Sequence, residues 1–122
     1  MFRLKYYKDN NGNEPLREYL KELNQKVKTS KNERINFNKI SEYLKILQTH
    51  GTQAGEPYVK HIEGDIWELR PLKNRIFFFF WRNNAFILLH HFIKKTQKTP
   101  QREIEQAKRN MNDVIERSKE YE

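Results

Sequence analysis

The spacing of apolar positions changes along the chain, and each change marks a new kind of element. Phe2, Leu4 and Tyr6 alternate with Arg3 and Lys5, the period of a short strand over Phe2–Tyr7 with one face buried. The polar cluster DNNGN at Asp9–Asn13 ends it as a turn. Leu16, Tyr19, Leu20, Leu23 and Val27 then recur at helical spacing and predict a first helix over about 14–27. Asn13 is its candidate cap, and Pro15 suits its first turn, where a missing N–H loses no partner. A second helix opens at the capping box of Ser30 and Glu33, carries Ile35, Ile40, Tyr43, Leu44 and Leu47 on one stripe, and stops at Gly51. The two helices are expected to form a hairpin lying on a sheet.

From Tyr58 the period falls to two. Strands are predicted at about 58–63, 65–71, 75–82 and 85–93, joined by Glu63-Gly64-Asp65, Lys73-Asn74 and Asn83-Asn84. Such short polar links favour an antiparallel meander. In the third of these strands Phe77, Phe79 and Trp81 point one way while Ile76, Phe78 and Phe80 point the other. A strand apolar on both faces belongs in the centre of a sheet. Thr99 and Pro100 then open a final helix with Ile104, Ala107, Met111, Val114 and Ile115 inward, and the end after about Ser118 is expected to fray. The order β-α-α-β-β-β-β-α describes a small α+β domain. Only the last helix remains to cover the second sheet face, which leaves room there for a shallow basic site.

Composition sharpens that expectation. The chain has 122 residues, enough for one domain with a real core, and 13% aromatic residues supply much of its buried area. A net charge of +8 points to a polyanionic partner. No run approaches the roughly 18 apolar residues of a membrane span, and MFRLKYYKD is no signal peptide, so the expected location is the cytoplasm. Without cysteine there is neither a disulfide framework nor a thiolate metal site. Around the two most apolar runs, from Trp67 to Pro100, sit Arg70, Lys73, Arg75, Arg82, Lys94, Lys95 and Lys98, with Glu68 the only acid.

WELRP at Trp67–Pro71, the Arg75–Ile76 opening of the next strand and FIKKTQKTP at Phe92–Pro100 together resemble the HigB branch of the RelE superfamily. These are bacterial toxins of type II toxin–antitoxin modules, in the phage-derived HigB-like group. Glu103–Asp113 is similar to the family's closing helix and Phe2–Leu23 to its opening strand and helix. The likeness thus spans nearly the whole chain and is sharpest from Lys60 to Arg109. The KKTQKTP segment is the specific part; WELR alone is weak. The resemblance implies a RelE-like fold and a metal-independent, ribosome-dependent mRNA endonuclease silenced by a HigA-like helix-turn-helix antitoxin. By position, Arg70 and Arg75 match the arginines flanking the family's central turn, and Lys94 and Lys95 its basic pair after the last strand. Some relatives carry lysines where this chain has Ile66 and Glu68, so the resemblance leaves the base unassigned.

The residue types suit that chemistry. Cleavage by internal transfer needs the 2′-oxygen deprotonated, the phosphorane stabilised and the 5′-oxygen protonated. Arg70 and Arg75 suit the second task, because a guanidinium fork binds two phosphate oxygens and stays charged. Lys94 and Lys95 add charge, and a partly desolvated lysine could act as base. The plainer alternative is that these are solvated strand-end cations, with Arg70 and Glu68 as a surface pair. His90 and His91 are adjacent on a strand and point to opposite faces, so only one can face a site; His90 goes with Phe92 and Lys94. His61 is a similar candidate. A metal site from His61, His90 and His91 lacks any spacing signature, and neither metal nor cofactor is expected. Lys73, Arg82 and Lys98 are candidate RNA contacts, and Tyr58, Trp67 and Trp81 are the rings that could stack an extruded base. Two rival classes remain: a non-catalytic nucleic-acid-binding domain, and a module whose basic face binds an acidic protein segment.

Overall fold

In the computed structural model, which describes residues 1–122, the segments of alternating polarity pair into a single mixed sheet. Its strands are β1 (Arg3–Tyr6), β2 (Val59–Glu63), β3 (Ile66–Leu69), β4 (Asn74–Phe80) and β5 (Ala85–Ile93), in the order β1-β5-β4-β3-β2. β2 to β5 form the antiparallel meander, and β1 adds alongside β5 in parallel. Everything between them, including helices α1 (Pro15–Gln25) and α2 (Lys31–His50), serves as the long connection that parallel neighbours need.

β4 is the central strand, as its two apolar faces require. Ile76 and Phe78 are buried under the hairpin with Leu16, Leu23, Ile40 and Leu47. Phe77 and Phe79 are buried on the other face with Ile104, Ala107 and Val114 of α3 (Gln101–Glu116). Each such phenylalanine contributes about 1.5–3 kcal/mol by burial, so β4 is the main hydrophobic anchor of both layers. The fold is α+β, with the hairpin on one face and a single helix on the other.

Several local details depart from the sequence reading. Asn13 does not cap α1; its backbone N–H donates to Asp9 Oδ1 (2.9 Å) in the preceding turn, and Glu14 takes the cap position without a side-chain bond. Ser30 does cap α2, accepting from the Glu33 N–H at 3.3 Å, and Gly51 ends it with φ 61°. A Cβ there would stand 2.8 Å from the Phe2 ring, so both the backbone and the packing call for glycine. β4 stops at Phe80, which leaves Trp81 and Arg82 in the turn with Asn83 and Asn84, the latter pair at positive φ. Ile35 and Ile115 lie off the inner stripes and are exposed. On α3 the inward place goes instead to Asn110, whose Nδ2 donates to Leu89 O at 2.8 Å.

The C-terminal end is not frayed. Ser118–Tyr121 forms a 3-10 turn, and Tyr121 is buried against β1. Its hydroxyl accepts from the Lys8 N–H (2.9 Å) and donates to Lys8 O (3.0 Å). Asp113 strengthens the clasp by accepting from Tyr7 Oη (2.6 Å) and pairing with Arg117.

Candidate functional site

Side chains of residues paired across strands share a face of the sheet. Lys60 stands opposite Glu68, Glu68 opposite Phe77, and Phe77 opposite His90. Since Phe77 packs toward α3, this whole row lies on the α3 face. The next row toward the β3–β4 turn holds Arg75 opposite Phe92, with Arg70 beside Arg75 because Leu69 pairs with Ile76. Lys94 follows Phe92 at the strand period of two. The corner bearing Lys60, Glu68, Arg70, Arg75 and Lys94 lies on this face toward the β3–β4 turn end of the sheet.

This corner is not a set of solvated cations. Glu68 is 2% exposed and Arg75 only 8%. Glu68 Oε1 lies 3.4 Å from Arg70 Nε and 3.9 Å from Arg75 Nε. The expected surface pair of Arg70 and Glu68 is therefore a buried-acid cluster shared with a second arginine. Burial pushes the Glu68 carboxyl above its ordinary range, against the opposing pull of Arg75, Arg70, Lys94 and Lys60. Burial likewise draws the Arg75 guanidinium down, with Glu68 acting the other way. Arg75 is further fixed by the turn it follows. Leu72 has φ 57°, a left-handed conformation that leucine rarely adopts, and its carbonyl accepts from Arg75 Nη1 at 2.8 Å. The same Nη1 donates to Asn74 O at 2.8 Å. Arg75 thus holds a strained turn as well as a charge. Arg70 is freer, with side-chain exposure of 25% and a long contact to Glu56 (3.8 Å).

The two adjacent histidines part company here. His90 is on the α3 face, and its Nε2 lies 2.8 Å from Glu103 Oε1 on α3. His91 is turned under the hairpin, stacked on Tyr19 at 4.3 Å, with Nε2 2.9 Å from Asn74 Oδ1. Asn74 Nδ2 in turn donates to Asn36 Oδ1 (2.7 Å) and Pro71 O (3.0 Å). Its Oδ1 is then the acceptor, so His91 carries the proton on Nε2. Burial and the neighbouring His90 pull His91 down to about 4, which keeps it neutral at ordinary pH.

Alternation puts the two histidines on opposite faces, and a β-bulge decides which takes which. Phe78 pairs with Leu88 while Phe77 pairs with His90, leaving Leu89 as an extra residue in β5. Leu89 and His90 consequently both lie over the α3 side of Phe77.

The remaining candidates divide between two ends of the sheet. Lys73, Lys94 and Lys95 line an open pocket of about 800 Å³ with Arg75 at the β3–β4 turn end. Lys98 is exposed in the link that follows β5. Trp67 and Arg82 are not brought to that corner. Trp67 faces the hairpin side, where His61 packs on it at a tilt with ring centroids 5.0 Å apart, and His61 Nε2 lies 2.8 Å from Gly64 O. Arg82 lies at the opposite end, 4.1 Å over the Trp81 ring and 3.8 Å from Glu122. Tyr58 packs on Tyr43 under the hairpin. No group of three or more His, Asp or Glu side chains is placed to hold a metal ion. Sequence reasoning passed over Lys60 and Glu103, and it took Glu68 for a surface partner of Arg70 rather than a buried member of the cluster. The strand period was a usable signal for Glu68, since it sets Glu68 and Arg70 on one face two residues apart.

A family model describing phage-derived Gp49-like proteins matches residues 18–112. The chain belongs to the Gp49-like family. The match takes in most of the hairpin, the meander and most of α3, and with them every residue of the corner. Gp49-like proteins are of the RelE/HigB toxin type, and a toxin of this type implies an antitoxin partner. No curated protein matches the chain. No helix of this Gp49-like protein is long and apolar enough to cross a membrane.

Proposed function

We propose that this Gp49-like chain is a HigB-like toxin that cleaves mRNA held in the ribosomal A site and is silenced by a HigA-like helix-turn-helix antitoxin. The observation that carries the reading is the pair Arg70 and Arg75, side by side across β3 and β4 on the α3 face, with Arg75 lining the open pocket at the turn end. Two adjacent guanidiniums suit a phosphorane, whose extra charge is spread over its equatorial oxygens. Lys94, Lys95 and Lys73 extend the positive field along the strand of RNA, and Lys60 stands opposite Glu68 in the next row. His90 is the imidazole on this face. Glu103 orients its ring through the 2.8 Å contact at Nε2, which suits a role in proton delivery to the 5′-oxygen.

The corner is well supplied with charge and sparsely supplied with acid–base groups, so much of the acceleration must come from geometry. Holding the 2′-oxygen in line with the phosphate is worth several kcal/mol, because effective molarities of oriented reactions reach about 10⁵ M or more. An A site presents a codon already ordered, whereas the sheet corner is too open to clamp a flexible strand by itself. The net charge of +8 then serves to dock the protein on ribosomal RNA with salt-dependent affinity.

The test is to incubate the purified protein with naked mRNA and with mRNA on programmed ribosomes and to map the cuts. Codon-phased cuts on ribosomes alone are expected. Equal cutting of both substrates means a free-standing ribonuclease, and tight RNA binding without cuts means a non-catalytic binding domain.

A further inference from the structure

Glu68 is the only acid between Trp67 and Pro100, it sits at the centre of the cationic corner, and the proposed chemistry gives it no task. An ionised carboxylate is costly to bury unless it is paired, and pairs of this kind are seldom the best route to stability alone. Its position is informative. Arg70 and Arg75 face each other across β3 and β4, an arrangement in which like charges repel. Glu68 precedes Arg70 by two residues on the same face and so lies diagonal to Arg75. One carboxylate oxygen, Oε1, lies in ion-pair range of the Nε of both arginines without a hydrogen bond to either, and the other, Oε2, is buried with no partner. Arg75 Nη1 is already committed to two carbonyls, and Arg70 Nη1 has only the long contact to Glu56. The Nη2 group of each arginine is left for a ligand.

We propose that Glu68 is the positioning residue of the site: a single buried carboxylate that holds Arg70 and Arg75 by their Nε edges and so presents both Nη2 groups to one phosphate. The inference rests on the RNA-cleavage reading for its consequence, though not for its geometry. Glu68 is too deep to touch the substrate and acts through the two guanidiniums. Removing its charge lets the arginines repel and turn, and a misplacement of about 1 Å at reacting groups can cost about 10²-fold in rate. A purely structural ion pair would show its loss in stability and in the folded fraction, with the rate per folded molecule unchanged.

The experiment uses the full chain with Glu68→Gln and Glu68→Asp, the second keeping the charge while drawing the carboxylate back by one methylene. The arginine Nε–Hε signals are recorded by NMR on the protein alone, and cleavage is measured on programmed ribosomes at limiting and saturating concentration. The Arg70 and Arg75 signals are expected to be distinct in the native chain and to shift and average in Glu68→Gln. In that variant kcat is expected to fall by about 10- to 100-fold with KM little changed, and Glu68→Asp should fall between. Unshifted Nε signals, or full kcat in either folded variant, overturns the proposal. If Glu68→Gln does not fold, Glu68→Asp alone decides by the same two readouts. If the native chain cuts nothing, the cleavage reading falls, and the Nε signals still decide whether Glu68 orients the arginines.

Discussion

The two faces of the sheet meet the same stretch of chain, residues 74–94, and treat it in opposite ways. Under the hairpin, polar groups are buried in order to be neutral and satisfied: His91, Asn74, Asn36 and Tyr19 form a closed set of hydrogen bonds around an uncharged imidazole. Toward α3, polar groups are buried while charged and left partly unsatisfied: Glu68 Oε2 and the Nε of Arg70 and Arg75 have no hydrogen-bond partner. Buried polar groups are normally paired, and an exception at a cation-rich corner is where a ligand is expected. The hairpin face thus satisfies its polar groups within the fold, while the α3 face, beside its own apolar core, carries the unpaired polar atoms that the proposed function would use.

Substitution can break or sharpen that contrast. The largest effect is expected from Arg70→Ala and Arg75→Ala, each lowering cleavage by about 10²-fold or more, the scale for losing one donor to a developing charge. Arg75→Ala should also unfold at lower denaturant, by about 1–3 kcal/mol, since it removes one of the two cations beside the buried Glu68 and the bonds that fix the Leu72 turn. As surface cations, both arginines would have been expected to leave stability unchanged. Arg70, more exposed, should come nearer to that. Paired measurements of ribosomal cleavage and urea unfolding check both statements.

Next in size is an effect of pH confined to the hairpin face. His91 is held near 4 in the fold against about 6.5 unfolded. The unfolded chain therefore binds more protons between those values. The stability His91 allows is fully present above about 6.5 and is lost as pH falls toward 4, on the order of 3 kcal/mol in all. Unfolding free energies measured from pH 7 to 4 should show this slope, and His91→Gln should flatten it.

Asn36→Ala opens the same hydrogen-bonded set without touching the arginines. It should cost about 1–3 kcal/mol, the penalty for leaving buried partners unpaired, while cleavage per folded molecule stays unchanged. A fall in cleavage beyond the folded fraction would dissolve the division between the faces. The smallest effect is expected from Arg82→Ala, at the far end of the sheet. Unfolding should move by about 0.5 kcal/mol or less, and ribosomal cleavage should be unaltered.

Much of the architecture was legible because it follows from short-range patterning. A strand apolar on both faces had to be central, and the Ser30 cap and Gly51 stop bounded α2. The site was harder to read because burial of a charge is a property of neighbouring strands. Alternation sets Glu68 and Arg70 on one face, but only the approach of Arg75 turns a surface pair into a buried cluster. Arg75 itself is fixed by the left-handed Leu72, a conformation that leucine does not advertise. The C-terminal clasp escaped notice for a similar reason, since Tyr121 finds its partner at Lys8, 113 residues earlier in the chain.

The extra residue in β5 also decides how relatives of this protein should be compared. In an unbroken ladder Phe77 would stand opposite Leu89, Ile76 opposite His90 and Arg75 opposite His91. The two imidazoles would then exchange places, His91 beside the arginines and His90 beneath the hairpin, with no residue substituted. Which histidine accompanies the arginines is therefore set by counting rather than by identity. An alignment column that matches histidine to histidine can join side chains from opposite sides of the sheet. Gains and losses of a single codon between Phe86 and His90 are the changes to follow when tracing this chemistry through a lineage.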